Sequence, residues 1–426
     1  MDLYTSKEQY LRFLEQIGQV PEGFKLATLG IRFYPEERPV SSPLAMNLVL
    51  IQGERPIGAF GGLFTRNKFP GAPVVVGRKR MEQPRIRGVL INNKVSNVGA
   101  PGGIEDAEEI LAALASYGGG RPEEYIPAST GIIGWKLPKG EILSALPDLV
   151  QRLGTATCAD AAQAIMTTDA YPKVARRALG AGSLVGFAKG AGMIEPNLST
   201  MLVFLLTDVR IHREVLRDTL GKVAEETFNC ISVDGDQSTS DTLLCLSSGI
   251  REGVTQKEWE TALGEVCGEL AEQIVRNGEG TSHVIRVRVR TAPDFKTARE
   301  LGKAVVNSPL VKTAIYGNDP NVGRIISALG DYVGNGNLPL DPGRWEIHIG
   351  EETIFSRGRF LLDREKELRL AAYLKEAAMN PAEKSFPPHN RMVDIVVELG
   401  SGSEGATVLG SDLSYEYVRE NADYRS

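Results

Sequence analysis

Ala188-Lys189-Gly190-Ala191-Gly192-Met193-Ile194-Glu195-Pro196-Asn197-Leu198-Ser199-Thr200-Met201-Leu202 is the stretch on which the reading of this chain turns. A glycine-rich turn with one lysine leads to Ser199-Thr200, and the apolar run 201–206 follows at once. That order suits a nucleophile held at the start of a buried strand. It also suits a chain that cuts itself before Thr200 and makes this threonine a new N-terminus. Such a threonine carries its own base, because an α-amino group has an unperturbed pKa of about 7.7–8.0. Near neutral pH it takes the proton from its own Oγ. The cut is an N→O acyl shift: Oγ of Thr200 attacks the carbonyl of Ser199, and the ester is hydrolysed. An oxyanion develops in that step and needs donors. Ala128-Ser129-Thr130-Gly131-Ile132-Ile133-Gly134 offers them, since Gly131 lets backbone N–H groups approach closely and Thr130 adds a hydroxyl. The same segment reads equally well as an ordinary glycine turn between strands.

Outward from this centre, strands and helices interleave. Ser6-Lys7-Glu8-Gln9 predicts a capping box, with Tyr10, Leu11, Leu14 and Ile17 on one helical face. The segments 48–51, 74–76 and 89–91 read as buried strands, and 104–117 as a helix closed by Gly118-Gly119-Gly120. Helices are expected at 216–230, 257–276, 297–306 and 365–379, and strands at 284–291, 345–349 and 393–399. Within 284–291 the alternation places Arg286, Arg288 and Arg290 on one face. They read as a solvated strand face, or as a hold for an acidic substrate or a coenzyme phosphate. The interleaving favours layered α/β or α+β architecture. With 426 residues, the chain exceeds the usual single-core limit and predicts two or more domains.

Several chemistries lose support on sequence grounds. A net charge of -6 does not favour nucleic acid or an anionic membrane. The four cysteines, Cys158, Cys230, Cys245 and Cys267, form no C-x-x-C pair and read as core residues. No phosphate loop, dinucleotide fingerprint or serine-hydrolase elbow is present. The acidic loop from Asp234 to Asp241 fails the calcium-loop pattern, with Thr239 at the sixth place and Cys245 at the twelfth. It reads as a hydrogen-bonded turn, and no metal is expected. His283 reads as a base or, more readily, as a cap at a strand start. Met1-Asp2-Leu3-Tyr4 lacks the basic start and apolar stretch of a secretory leader. No run reaches the roughly 18 apolar residues of a membrane span, so a cytoplasmic protein is expected.

Taken together, several ordered segments resemble the ornithine acetyltransferase family, the glutamate N-acetyltransferases of arginine biosynthesis. They are Ser129-Thr130-Gly131-Ile132-Ile133-Gly134, Met166-Thr167-Thr168-Asp169, Lys189-Gly190-Ala191-Gly192-Met193 through Thr200-Met201-Leu202, and Asp234-Gly235-Asp236 with Ser238-Thr239 and Asp241-Thr242. Asn307-Ser308-Pro309-Leu310-Val311-Lys312-Thr313-Ala314, Gly317-Asn318-Asp319-Pro320-Asn321, and Tyr417-Val418 with Asn421-Ala422-Asp423-Tyr424 complete the set.

The resemblance implies a layered α/β sandwich of two domains, like that of the β-peptidyl aminopeptidases. It implies self-cleavage between Ser199 and Thr200, and a ping-pong transfer of acetyl from N-acetylornithine to glutamate through Thr200. By position, the oxyanion pair falls on Thr130 and Gly131. The substrate contacts fall on Thr167 or Thr168, Lys189, Thr200, Glu279, Asn421 and Ser426. The organisation implied is an N-terminal helical extension over 1–23, an α-chain domain over 24–199 and a β-chain domain over 200–426. The two fragments stay together, as a heterotetramer of two α and two β. No cofactor is expected, with acetyl-CoA open as a co-substrate. An amidohydrolase or aminopeptidase on the same fold, or a non-cleaving, non-enzymatic relative, are the rival readings.

Departures from the family pattern are local. Ser199 stands where alanine is usual, Lys94 where the family's Asn-Ser-Gly-Asn-Ala-Asn stretch has glycine, Val322 where tryptophan is usual, and Ser426 in place of threonine. They leave open a different acyl donor or acceptor.

Overall fold

The computed structural model describes residues 3–195, 201–379, 386–387 and 390–422. Three sheets appear among them. The first orders Phe24–Phe33, Leu44–Ile57, Ile86–Asn92 and Tyr125–Ser129. The middle sheet orders Ala59–Phe64, Thr242–Arg251, Leu202–Val209, Gly182–Lys189 and Lys173–Leu179. It therefore takes three strands from before residue 199 and two from after residue 200. The third sheet is seven-stranded, with Val284–Ala292 between Val393–Glu398 and Glu404–Ser411 near its centre.

The first two sheets stack. Side chains on successive residues of a strand point to opposite faces, and Leu202–Val209 shows the result. Leu202, Phe204 and Leu206 join Val49, Ile51, Val89 and Ile91 in the core between the sheets. Val203, Leu205 and Val209 face a second core, filled by the helices Arg213–Glu226 and Gln256–Arg276. On the outer side of the first sheet, Leu48 and Leu50 pack against Gly103–Gly118 and Lys139–Gln151. The order is helix, sheet, sheet, helix, a layered α/β sandwich. The seven-stranded sheet has its own core with Phe295–Asn307, Val322–Asn335 and Arg364–Ala377.

Most expected elements form. At the first helix, Lys7–Ile17, Ser6 accepts from Gln9 N–H as the capping reading requires. The reciprocal half is different: Gln9 Oε1 accepts from Thr5 N–H at 3.2 Å. One element changes type. Val74-Val75-Val76, read as a strand, lies inside the helix Ala72–Arg80. Three apolar residues carry no period, and Pro73 just inside a segment opened by Gly71 favours a helix start. The three arginines belong to cross-strand ion pairs. Arg286 and Arg288 meet Asp394 at 2.6 and 2.9 Å, and Arg290 meets Glu398 at 3.4 Å. His283 is buried, with Nδ1 2.7 Å from Asp412 and Nε2 3.1 Å from the Leu374 carbonyl. It is a fixed structural group at the start of Val284–Ala292.

Candidate active site

Strand register creates the site. Gly182–Lys189 and Leu202–Val209 are antiparallel neighbours with Lys189 opposite Leu202, and Thr242–Arg251 runs parallel on the other side with Thr242 opposite Leu202. The end of one strand and the starts of two others thus meet at one sheet edge. There a cavity of about 400 Å³ is lined by Thr130, Gly131, Thr167, Thr168, Lys189, Glu279 and Asn421, along with Met201, Leu202 and the 238–241 loop. Seven residues singled out in the sequence, spread from 130 to 421, share this cavity. Ser199, Thr200 and Ser426 lie outside the described residues. Met201 and Leu202, which follow Thr200 directly, line the cavity.

Backbone conformation shapes the Thr130–Gly131 wall. Thr130 donates its N–H to the Asn92 carbonyl at 3.0 Å, and Ile132 N–H reaches the Lys94 carbonyl at 3.0 Å. Thr130 and Gly131 both line the cavity. Gly131 sits at φ +129°, and a Cβ there would lie 2.2 Å from the backbone carbon of Lys94. No other residue fits that approach. Lys94 itself adopts φ +69°. The side chain of Asn92 ties the two segments, accepting from Ser129 Oγ at 2.6 Å and donating to the Val95 carbonyl at 2.8 Å.

Charge dominates the Lys189 wall. Lys189 Nζ lies 3.4 Å from Thr167 Oγ. Desolvation pushes its ammonium pKa down, opposed by the carboxylates of Asp169, Asp241 and Glu279. Beneath it, the buried Lys173 donates to Asp169 at 2.5 Å and to Asn277 at 2.6 Å. Asp169 also accepts from Gly190 N–H at 2.8 Å and Thr167 N–H at 3.0 Å. Burial would raise its pKa, but Lys173, Lys189 and the Gly190 N–H outweigh that and bring it to about 2. One carboxylate thus fixes the two turns that carry Thr167 and Lys189.

Glu279 is buried and held from two directions. Its N–H donates to the Ala191 carbonyl at 2.9 Å, and Oε2 accepts from Asn421 Nδ2 at 2.9 Å. Asn421 arrives on the helix Tyr415–Ala422, a segment that polarity alone would leave frayed. The helix docks because Gly280 is bare: a Cβ there would stand 2.2 Å from Tyr417 N. Ser414 Oγ completes the joint, donating to the Gly280 carbonyl at 2.6 Å and accepting from Tyr417 N–H at 3.1 Å. Asp234 behaves as the turn reading expects. Its oxygens accept from Met193 N–H at 2.6 Å and Ile194 N–H at 2.8 Å, fastening the glycine-rich turn.

Sequence reasoning gave no role to Asp241, Ser238, Thr239 or Ser240, although all line the cavity. Asp241 stood within a matched motif, but its burial arises only when 65–71 packs on the loop. Thr65 N–H then reaches the Asp241 carbonyl at 3.1 Å and Gly71 N–H the Thr239 carbonyl at 2.9 Å.

A buried strand start beside hydroxyl and backbone donors, with a cation and a carboxylate in one cleft, suits acyl-group chemistry. The comparisons give the family. The model of the ArgJ family matches residues 38–426, and the chain belongs to that family, whose members are acyltransferases. The arginine biosynthesis bifunctional protein ArgJ 2 of Nostoc sp. is 38% identical over 408 residues, which are 95% of this chain and 97% of that protein. ArgJ of Methylococcus capsulatus is 40% identical, over 86% of this chain and 88% of its own. A solved chain of the Bacillus halodurans ArgJ is 35% identical, with a TM-score of 0.45, covering 52% of this chain and 98% of that one. Among the described residues, no helix is long and apolar enough to cross a membrane.

Proposed function

We propose that this chain is a self-cleaving acetyltransferase that moves an acetyl group from N-acetylornithine to glutamate through an ester on Thr200, in arginine biosynthesis or a related secondary pathway. One observation carries the reading: strand register brings Thr130, Gly131, Lys189, Glu279 and Asn421 into a single cavity beside Met201. In the first half-reaction, Thr200 Oγ gives its proton to its own α-amine and attacks the acetyl carbonyl carbon. Charge gathers on the carbonyl oxygen, where the Thr130 hydroxyl and Gly131 N–H donate. The C–N bond breaks as the ammonium proton passes to the departing ornithine nitrogen. Glutamate's neutral amine then attacks the ester carbonyl, its proton passes by way of the Thr200 α-amine to Oγ, and the C–O bond breaks to free Thr200. Lys189 pairs with the substrate carboxylate and Glu279, steered by Asn421, with the ornithine side-chain ammonium. Thr167, Thr168 and Ser426 supply hydroxyls. No cofactor enters this scheme, and acetyl-CoA stays open as a co-substrate. The fragments 1–199 and 200–426 remain together, two of each in a heterotetramer.

The test is mass spectrometry with denaturing electrophoresis. Wild type should give two bands, and its 200–426 fragment should gain an acetyl group from N-acetylornithine and lose it to glutamate. A Thr200→Ala chain should stay whole. Wild type that stays whole and takes no acetyl group sinks the proposal. Acetate released without glutamate would favour the hydrolase reading.

A further inference from the structure

A second cavity, of about 490 Å³, lies between the N-terminal helix Lys7–Ile17 and the helix Gln256–Arg276, with Val174 and Arg177 of the strand Lys173–Leu179 also on its lining. It shares no described lining residue with the catalytic cavity. One wall is aromatic. Tyr4 and Phe13 stack with ring centres 5.1 Å apart, and the Tyr10 ring lies 5.7 Å from that of Tyr4. The facing wall is acidic, because Glu265, Glu269 and Glu272 recur at helical spacing and share one face of Gln256–Arg276. Arg177 is the cation among the described lining residues, and it meets Glu265 at 2.7 Å and Glu269 at 2.9 Å. Glu272 pairs with Arg276 at 2.7 Å. Three carboxylates against one guanidinium leave the lining with an excess of negative charge.

Two further features point to an occupant. Gln273 lines the cavity and is only 4% exposed. Its Nε2 donates to the Val174 carbonyl at 3.2 Å and to Glu269 at 3.3 Å, while its Oε1 meets no donor among the described residues. A buried amide oxygen without a donor is costly. Gly264 and Gly268 also line the cavity, although glycine is a poor helix former. Packing does not demand either: a Cβ at Gly264 would meet nothing within 4 Å, and one at Gly268 only Thr227 Cγ2 at 4.0 Å. Their missing side chains leave the acidic face hollow.

We propose that this cavity binds a small organic cation, a guanidinium or primary ammonium on an aliphatic stem. The N–H groups of the head donate to Glu269, Glu272 and Gln273 Oε1, and the Tyr4 and Phe13 rings receive the charge and the stem. The carboxylates disfavour an anion, and among the described residues they do not gather as metal ligands. The cavity also adjoins the support of the charged catalytic wall. Tyr10 Oη donates to the Pro172 carbonyl at 2.9 Å and Gln273 to that of Val174, on either side of the Lys173 that holds Asp169.

The experiment is a ligand-observed NMR titration of the full chain with n-butylguanidinium and n-butylammonium, and with pentanoate as an anion on the same butyl stem. At least one cation should bind with a Kd below about 1 mM, and at least about tenfold tighter than pentanoate. Glu269→Gln should weaken that cation about tenfold. Gly268→Leu places a side chain in the hollow and should abolish binding in a folded protein; should that chain not fold, Gly264→Leu decides. Glu279→Gln alters the catalytic cavity alone and should leave the binding unchanged. Failure of both cations to bind overturns the proposal, as does pentanoate binding equally well. So does cation binding that survives the leucine variant or is lost with Glu279→Gln. None of these readings depends on chain cleavage or acetyl transfer, so the catalytic proposal stands or falls separately.

Discussion

Around Thr130 and Gly131 the cavity wall is shaped by backbone conformation, whereas around Lys189 it is shaped by buried charge. The first wall holds its form through carbonyl contacts to Asn92 and Lys94 and through one glycine that nothing else replaces. The second depends on Asp169, whose carboxylate gathers Lys173, Gly190 and Thr167 at once. The difference separates two kinds of failure. Damage to the charged wall should be paid in stability, because a lone buried charge is left behind. Damage to a donor on the backbone wall should cost rate, because it acts only on charge that develops in the transition state.

The largest effect should follow Lys173→Met. It strands the Asp169 carboxylate in the interior and should cost about 3–5 kcal/mol of folding stability, read as a lower urea midpoint. A loss under 1 kcal/mol would show that Gly190 and Thr167 suffice as partners, and the contrast between the walls would collapse. Thr130→Ala comes next. Acetyl-enzyme formation should slow by about 10²–10³, equivalent to about 2.7–4 kcal/mol in the barrier, with the urea midpoint unmoved. Parallel losses of rate and stability would instead make Thr130 a structural residue. The smallest change sharpens the picture within the backbone wall. Lys94→Gly relieves a left-handed non-glycine residue and should stabilise the fold by roughly 0.5–1 kcal/mol, with little change in rate. Thermal unfolding of the two proteins side by side reads it directly.

The backbone wall was the more legible in the sequence. Gly131 beside Thr130 announces a close approach, and long periodic segments such as Gln256–Arg276 give their own type and nearly their own ends. Short segments did not. Val74-Val75-Val76 suits either a strand or a helix until the neighbouring Gly71 and Pro73 are weighed with it. The charged wall was legible only in part. Lys189 and Glu279 stood out through the family resemblance, but Asp169 and Asp241 gained their roles from burial. Residues distant in sequence complete both settings: Asn277 shares the Lys173 ammonium with Asp169, and Thr65 meets Asp241. The docking of Asn421 was hidden for a similar reason, since it requires Gly280 to meet Tyr417 some 140 residues away, a separation no local pattern encodes.

The shared middle sheet carries a consequence for a chain severed at residue 199. From Leu184 opposite Thr207 to Lys189 opposite Leu202, the two strands flanking the junction are paired throughout, and Phe187 and Phe204 pack with ring centres 5.3 Å apart. The products of a cut there would not be two bodies resting against each other. They would be complementary parts of one hydrogen-bonded layer, each leaving the other's interior open if removed. Parting them would demand the same disruption as melting the sandwich, so dilution alone should not pull them apart. Scission would then change the chemistry of one nitrogen while leaving the architecture a single cooperative unit.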